Sequence, residues 1–425
     1  MAAVLKEGLE RTLAQAKQLV GTIEKDEDGG HSIVKRKDSS VKLVIQHLDS
    51  PDDTFPTFSE IEQAHFVATT LGDIRVLSNA PMTYGEKPEA HPNASPVIAS
   101  YKANFIRGGL VFNMHSHHYS NDVMGWGSFT KQLAENCYAI MNKTEFPAWD
   151  TRCLDRSRFI TAPVPEESRV SAPPQADRHP DHKVSQSLLF HLPKSKAALL
   201  KKAASPDDGT WISTYDAVVA LTWRTFSKIR EPVYKPDPAS HPIWAEGVNM
   251  TKRLTDPTMP ARQQGNAFFA TMSSMSPVPQ LTMAEIISEA PLSKIAGYVR
   301  KMTNGCTGEL LNAALQMLAP IGNKAELSIR INSFAPMTMV FTDWRDANVC
   351  DSDFGFGKPA AFRHLFDTVT EGLCIVYPPH NGPAGDDEGM ELQLAFEKEL
   401  TDQLVNDPEW SKYFEFRGVD AEEAS

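Results

Sequence analysis

A proline-rich segment near the middle of the chain constrains its fold more than any other sequence feature. Residues 161–183 carry five prolines among charged and small residues, namely Pro163, Pro165, Pro173, Pro174 and Pro180. This composition is typical of an exposed connection between folded parts. The chain has 425 residues, whereas a domain usually has roughly 100 to 200. We therefore predict two domains, residues 1–160 and 184–425, joined by this linker.

The first part alternates between helical and strand patterns. Apolar residues between Leu5 and Ile23 follow helical spacing, so the chain is expected to open on a helix. The acidic turn at residues 26–30 separates two short apolar pieces and predicts a hairpin, and a further strand is expected around residues 41–45. Residues 101–114 are rich in β-branched and aromatic side chains, which predicts that the histidines after them lie at the end of a strand.

The second part shows the same mixture. Residues 215–229 have apolar side chains at helical spacing after a possible cap at Ser213 or Thr214. Residues 390–396 alternate between apolar and polar side chains as a strand does, and residues 398–405 return to helical spacing. The predicted class is therefore α/β or α+β with mixed sheets.

Composition excludes several classes of protein. With 41% hydrophobic and 23% charged residues, the chain can build cores, so any disorder should be local. A net charge of -12 argues against a broad nucleic-acid or anionic-membrane surface. No apolar run approaches the roughly 20 residues that cross a bilayer, and the start is not a secretory signal. The five cysteines lie far apart and are expected to be buried free thiols in a cytoplasmic protein.

Residues 114–122 form the first candidate site, with His115, His117, His118 and Asp122 in close sequence. If the strand continued through them, His115 and His117 would share one face and His118 would lie on the other. A zinc site would need three protein ligands, and no H-E-x-x-H pattern or cysteine pair accompanies these histidines, so no metal is predicted. Solvated histidines at a strand end remain the alternative.

Residues 353–359 form the second candidate, with Asp353, Gly355 and Gly357 around two phenylalanines. A phosphate-binding P-loop would need another glycine five residues before Gly357 and a Ser or Thr after Lys358, and neither is present. This pattern indicates a tight turn in which the glycines allow close backbone approach.

The two candidates in this order resemble the motifs of the BAHD acyltransferases, an H-x-x-x-D in one domain and a D-F-G-aromatic-G turn in the other. The resemblance continues through nearly the whole chain, in residues 104–110, 214–224, 249–253, 265–266 and 342–345. The fungal trichothecene O-acetyltransferase branch is the most similar subgroup. The resemblance implies two chloramphenicol-acetyltransferase-like domains, a long crossover loop and an active-site channel between the domains.

The resemblance also implies the activity and its residues. The expected reaction moves an acyl group, acetyl by default, from a coenzyme A thioester to a hydroxyl or amine of a small molecule, as in secondary metabolism. His118 would be the general base, while Asp122 would shape its loop and pair with an arginine. Thr342 and Trp344 would lie near the reacting carbonyl, with Thr342 donating to the oxyanion. Asp353 would pair with Arg253.

The expected partners are the acyl-CoA co-substrate and the small-molecule acceptor, with no tightly bound cofactor and a monomeric enzyme. Lys252, Arg253 and Arg262 are the candidates for the coenzyme's phosphates.

The chain departs from the family pattern at Val123, Thr251 and Phe356, where glycine, arginine and tryptophan are usual. Family members also have a strand and more chain before the helix that opens here near Val4. We therefore expect part of the first domain's sheet or acceptor pocket to be absent.

Other functions stay open at the level of sequence. A condensation-domain-like catalyst shares an HH-x-x-x-D pattern, and a pericyclase or dehydratase could reuse the same cleft. A catalytically inactive small-molecule-binding homologue is a further alternative. The acceptor, the acylated atom and the acyl chain length do not follow from the sequence.

Overall fold

The fold is described from a computed structural model, over residues 1–27, 29–79, 91–276, 278–327, 330–365, 368–380 and 387–422. Eight α-helices occur in these ranges: α1 (Ala2–Gln15), α2 (Phe58–Gln63), α3 (Val123–Asn142), α4 (Lys194–Ala204), α5 (Thr214–Tyr234), α6 (Leu292–Gly305), α7 (Gly308–Leu318) and α8 (Thr401–Val405). The strands of the first half are β1 (Thr22–Lys25), β2 (His31–Val34), β3 (Leu43–Leu48), β4 (Ala99–Ile106) and β5 (Gly109–Ser116). Those of the second half are β6 (Ser185–Leu192), β7 (Trp244–Asn249), β8 (Phe268–Met272), β9 (Met339–Asp343), β10 (Leu373–Val376), β11 (Met390–Glu397) and β12 (Glu415–Glu422).

The first half is built around a three-stranded sheet that carries α3 on one face. Strand β4 lies in the middle, parallel to β3 and antiparallel to β5. Helices α1 and α3 pack together, and Leu5, Leu9 and Leu133 are buried between them and the sheet. This layer confirms the predicted opening helix and the predicted β1–β2 hairpin.

The turn between β4 and β5 explains the two glycines that interrupt this strand pattern. Gly108 has a φ of 83°, a left-handed conformation that glycine adopts at little cost. A Cβ atom on Gly109 would lie 2.8 Å from the Phe58 ring, so no larger residue fits there without displacing that ring. Strand β5 therefore starts at Gly109 and delivers the histidines to its far end.

The second half contains a seven-stranded mixed sheet in the order β12–β6–β11–β10–β9–β7–β8. Helix α5 packs on it, and Ser213 caps this helix in a reciprocal capping box with Asp216. Trp223 and Trp244 are among the largest fully buried side chains of this core. The predicted helix at 215–229, strand at 390–396 and helical turn at 398–405 are all confirmed.

The proline-rich segment runs along the surface of the second half. Residues 161–183 contain one short 3₁₀ turn, Glu166–Ser168, and are otherwise irregular. Val170 pairs with Ile321, the His179 amide donates to the Asn332 carbonyl, and Arg178 forms an ion pair with Glu371. This course fits a crossover connection, while the domain boundaries at 160 and 184 stay a prediction.

The two halves contact each other in several places, and two of these junctions bear on the candidate site. At the edge of the large sheet, the Asp420 carboxylate accepts a hydrogen bond from the Ala68 amide at 2.8 Å, and Arg363 donates to the carbonyls of His65 and Phe66. The second junction lies between the end of β5 and residues 264–267, and it contains the candidate site described below.

Two further expectations concern the state of the cysteines and the presence of membrane-spanning helices. All five cysteines are buried and free, as predicted. Within the described ranges, no helix is both long enough and apolar enough to span a membrane.

Glu246 is a carboxyl group inside the core of the second half. It lies on β7 with 3% of its surface exposed, accepts a 2.5 Å hydrogen bond from the Thr303 hydroxyl and contacts the Tyr215 hydroxyl. Burial raises its pKa to about 7. The folded state therefore binds this proton more tightly than the unfolded chain does, and the stability from the protonated form is lost as pH rises from about 4.5 towards 7.

We expect Glu246→Gln to stabilise the protein near pH 8 and to have little effect near pH 5. The raised pKa of Glu246 corresponds to about 3 kcal/mol of unfolding free energy, because one pKa unit is about 1.4 kcal/mol. Thermal melting of both proteins at the two pH values measures this. Equal melting temperatures at pH 8 would show that the carboxyl is not a titrating core group.

Candidate active site

His118 lies in the turn that connects β5 to α3. Strand β5 contains His115 and ends at Ser116, so His117 and His118 follow the end of the strand, as predicted, and the division of the histidines between strand faces does not apply. The His117 amide donates to the Ile98 carbonyl, and the Ser120 amide closes a turn onto the His117 carbonyl. This turn reverses the chain and places His118 at the junction between the two halves.

Asp122 holds this turn from both sides. One carboxylate oxygen, Oδ1, accepts from the amides of Met124 at 3.0 Å and Gly125 at 2.9 Å and so caps α3. The other oxygen, Oδ2, accepts from the Ala267 amide at 2.7 Å, from the opposite half of the chain. Both oxygens are thus bonded to backbone amides, and Val123 is accommodated as the first residue of the helix.

Residues 264–267 hold the histidine turn in place. The Asn266 side chain donates to the His118 carbonyl at 2.8 Å, and the Asn121 carboxamide bonds both the Gly265 amide and the Gln264 side chain. Gly265 has a φ of 90°, a conformation that glycine adopts readily. Residues 264–267 therefore hold the His118 turn through several hydrogen bonds across the junction.

Arg156 holds residues 264–267 in position through their backbone carbonyls. Its guanidinium donates to the carbonyls of Gln264, at 2.9 Å, and Asn266, and its charge interacts favourably with that of Asp122. The hydrogen bonds of Arg156 go to backbone carbonyls, so its pairing with Asp122 remains a prediction that the favourable charge interaction supports. Burial of the guanidinium lowers the pKa of Arg156, an effect that the Asp122 charge opposes.

The environment of His118 favours an uncharged imidazole. Burial lowers its pKa below the usual histidine value, while a hydrogen bond to its own backbone carbonyl and the charge of Asp122 oppose this shift. The ring of Phe268 meets it edge to face, with ring centroids 6.0 Å apart. Because one ring nitrogen donates to the carbonyl, the other carries a lone pair that can accept a proton.

Thr342 and Trp344 lie at the end of β9, beside this junction. The Trp344 indole donates to the Thr342 hydroxyl oxygen at 2.9 Å. On strand β7, Gly247 pairs with Thr342 of β9. Two residues further along β7, Asn249 pairs with Phe268 of β8. The end of β9 and the aromatic ring that contacts His118 thus lie on neighbouring parts of one sheet.

A further histidine in this region was missed by sequence reasoning. The His364 ring packs against Trp344 with centroids 5.7 Å apart, and its charge interacts with those of His118 and His115. Burial lowers the pKa of both His364 and His115 to about 4. His364 belongs to neither motif, and tertiary packing of its segment, including its own contact with Trp344, places it here.

The late motif forms a tight turn against the end of α3, as predicted. Asp353 accepts from the Gly355 amide at 2.8 Å, and Gly355 has a φ of 82°. A Cβ atom on Gly355 would come within 2.9 Å of the Met141 Cβ atom, so the turn needs glycine for close approach. Phe354 and Phe356 pack on each other at 5.8 Å.

The expected ion pair between Asp353 and Arg253 is wrong. Arg253 donates to the Cys306 carbonyl at 3.0 Å, whereas Asp353 bonds within its own turn. Both residues belong to the described ranges, and no ion pair joins them there. Each side chain thus bonds a backbone group elsewhere and not the other side chain.

The other predicted coenzyme residues also have protein partners. Lys252 pairs with Asp346 at 2.9 Å, with both side chains exposed. Arg262 bonds both carboxylate oxygens of Glu135, at 2.7 and 2.6 Å, and its side chain is 24% exposed.

Arg262 also lines a cavity of about 750 Å³ along α3, in which carboxylates outnumber cations. The charged lining residues are Lys131, Glu135, Glu145, Arg262, Asp346, Asp351 and Asp353. This balance suits coenzyme phosphates poorly. Across the described part of the chain, His, Cys, Asp and Glu form no group of three or more that would hold a metal ion.

Proteins similar to this chain in sequence include two acetyltransferases. Acetyltransferase FGR3 of Gibberella zeae is 54% identical over 421 residues, which cover 99% of this chain and 85% of that protein. Trichothecene 3-O-acetyltransferase TRI101 of Fusarium sporotrichioides is 22% identical, over 98% of this chain and 90% of that protein.

Solved structures share the fold. The F. sporotrichioides TRI101 complex with coenzyme A and T-2 matches with a TM-score of 0.77 at 22% identity, covering 98% of this chain and 91% of that one. The F. graminearum TRI101 complex with coenzyme A and deoxynivalenol matches with a TM-score of 0.78 at 18% identity, covering 98% and 92%. These matches confirm the predicted mixed α/β architecture.

The sequence model of the Transferase family matches residues 68–410, a span that includes both motifs. The chain therefore belongs to the Transferase family, as its resemblance to the BAHD acyltransferases led us to expect, and it is an acyltransferase.

Proposed function

We propose that this protein transfers an acetyl group from acetyl-CoA to a hydroxyl group of a small molecule, with His118 as general base. The observation that carries the proposal is the position of His118 at the junction of the two halves, where the Asn266 side chain holds its turn and burial lowers its pKa and so favours the uncharged imidazole. The acetyl group as donor is supported by the 54% identity to an acetyltransferase.

The first step is the attack of the hydroxyl on the thioester carbonyl. The lone-pair nitrogen of His118 accepts the hydroxyl proton while the oxygen forms its bond to the carbonyl carbon. When the tetrahedral intermediate collapses, the carbon–sulfur bond breaks and the imidazolium returns the proton to the coenzyme A thiolate. No covalent enzyme intermediate is needed.

Thr342 is proposed to stabilise the oxyanion of that intermediate. Its oxygen accepts from the Trp344 indole, so its own hydroxyl hydrogen can donate to a developing negative charge. The bond also fixes the direction of the hydroxyl, because Trp344 is 7% exposed and closely packed. Trp344 acts here through Thr342.

Asp122 is proposed to have a geometric role. A carboxylate whose oxygens accept three backbone amides already uses most of its acceptor sites. It therefore holds the His118 turn without relaying a proton. Its negative charge raises the pKa of His118 and so partly offsets the effect of burial.

Of the three predicted coenzyme residues, Lys252 is the best candidate for a phosphate contact. Its pair with Asp346 is exposed on both sides, and exposed pairs contribute only about 0 to 1 kcal/mol, so a phosphate can replace the carboxylate easily. Arg262 and Arg253 have part-buried protein partners, which would have to be given up.

The acceptor is proposed to be an oxygenated secondary metabolite. TRI101, whose structures contain T-2 and deoxynivalenol, shares the fold at low identity. We further propose a monomeric, cytoplasmic enzyme. The five unpaired cysteines support a reducing compartment, and the candidate site is assembled within one chain.

The proposal is tested by incubating the purified protein with acetyl-CoA and a panel of alcohols and amines, including T-2 and deoxynivalenol. Mass spectrometry of the products identifies an acetylated compound. Tight binding of a panel compound without turnover would indicate a binding homologue instead, and a product formed without acetyl-CoA would indicate a different reaction.

We expect His118→Ala to lower kcat about a thousandfold without changing the melting temperature by more than a few degrees, since general-base groups contribute about 10²–10⁴. In the wild type, burial keeps His118 uncharged to lower pH, so kcat/KM should fall only below about pH 6.5. Initial rates between pH 5 and 8 measure this. An acid limb centred above pH 7 would contradict the uncharged base.

We expect Thr342→Val to lower kcat about a hundredfold with little change in the KM for acetyl-CoA, because the lost donor acts on the transition state. Thr342→Ser keeps the hydroxyl and should keep most of the activity. Equal losses in the two variants would assign Thr342 to packing.

We expect Lys252→Ala to raise the KM for acetyl-CoA about five- to tenfold and to leave the acceptor KM unchanged, since a charged hydrogen bond contributes about 1.5 kcal/mol. Lys131→Ala, at a lysine that lines the acidic cavity, is the matched control. The assignment is wrong if both variants have the same coenzyme KM.

A further inference from the structure

His364 lies at the candidate site although the proposed reaction does not use it. Its ring contacts Trp344, which in turn holds the Thr342 hydroxyl. It is also near enough to His118 for their charges to interact. A second imidazole therefore lies near the proposed base and against the tryptophan that holds the proposed oxyanion donor.

The backbone around His364 is anchored on both sides. Phe362 packs against Trp126 of α3 at 5.0 Å and against Trp344 at 6.1 Å. Leu365 is buried with residues of the first half of the chain. The side chain between them therefore projects from a fixed position, which is what selection of a ligand requires.

Arg363 adds a third anchor. Its guanidinium donates to the carbonyls of Phe66 and His65, each at 2.9 Å, and forms a 2.7 Å ion pair with Glu391 of β11. Only 7% of the Arg363 side chain and 2% of the Glu391 side chain are exposed. Arg363 therefore holds the segment to the first half through the two carbonyls and to the second half through the buried ion pair.

The chemistry of the ring indicates what it can bind. With its pKa lowered to about 4 by burial, His364 is uncharged at cellular pH, and a neutral imidazole has one N–H donor and one nitrogen acceptor. Such a group suits a hydroxyl or carbonyl oxygen better than a phosphate or carboxylate. The proposed phosphate contact, Lys252, lies on a different segment, the one that leads into β8 and Phe268.

We infer that His364 is a specificity-determining residue that hydrogen-bonds the acceptor and selects molecules with a second hydroxyl or carbonyl oxygen beside the hydroxyl that is acetylated. This inference rests on the proposed acetyl transfer. The second oxygen bonds His364 while the reacting hydroxyl bonds His118, so one acceptor is oriented by two imidazoles.

The test compares trans-1,2-cyclohexanediol with cyclohexanol as acceptors, followed by release of the coenzyme A thiol at saturating acetyl-CoA. The wild type is expected to have a kcat/KM about three- to tenfold higher for the diol than for cyclohexanol, because one additional hydrogen bond has about that effect. His364→Phe keeps a ring but removes both nitrogens, so this preference should vanish while the acetyl-CoA KM and the cyclohexanol rate stay within about twofold. His364→Gln restores a donor and an acceptor and should recover part of the preference.

His47→Phe is the matched control, because His47 is an exposed histidine stacked on Phe105. It should retain the full preference for the diol. Equal kcat/KM for the two alcohols in the wild type, or an undiminished preference in His364→Phe, would overturn the inference. A His364→Phe effect confined to the acetyl-CoA KM would also overturn it, since the residue would then serve the coenzyme.

Failure of the proposed function has a different signature. If neither these alcohols nor any panel compound is acetylated by the wild type, acetyl transfer is what fails. Calorimetric titration of the two alcohols then decides the inference by itself. Tighter diol binding to the wild type but not to His364→Phe supports it, and equal binding to both proteins contradicts it.

Discussion

The carboxylate of Asp122 is the interaction on which the candidate site depends. One oxygen caps α3, where the helix dipole favours negative charge, and the other bonds the Ala267 amide of the opposite half. Charged hydrogen bonds of this kind are among the stronger ones in proteins. A single side chain thereby fixes the start of a helix, the turn that carries His118, and the register of that turn against the second half.

Burial at this junction sets the chemistry of the site. Removing an imidazole from water penalises its charged form, and the same effect lowers the pKa values of His115, His118 and His364. An uncharged base can accept a proton at cellular pH, and uncharged neighbours do not repel the imidazolium that forms. The packing that closes the junction and the reactivity of His118 thus have one physical cause.

Much of the fold was predictable from local patterns. The opening helix, the capped helix α5 and the alternating strand β11 follow from periodicity and capping chemistry, which operate over a few residues. The ion pair between Asp353 and Arg253 was predicted wrongly, because Asp353 bonds within its own turn and Arg253 bonds the distant Cys306 carbonyl. The histidines were expected at the end of a strand, and β5 does end at Ser116, where the chain turns to enter α3.

By itself the sequence determined the order of helices and strands and pointed to His118 as the proposed base, because periodicity and motif spacing are local properties of the chain. Only the tertiary structure decided what surrounds that base. Arg156, Asn266 and His364 come from three distant segments, and they meet His118 or its turn only when the two halves pack together. Long-range packing, which spacing along the chain does not encode, therefore decided the shape and charge of the site.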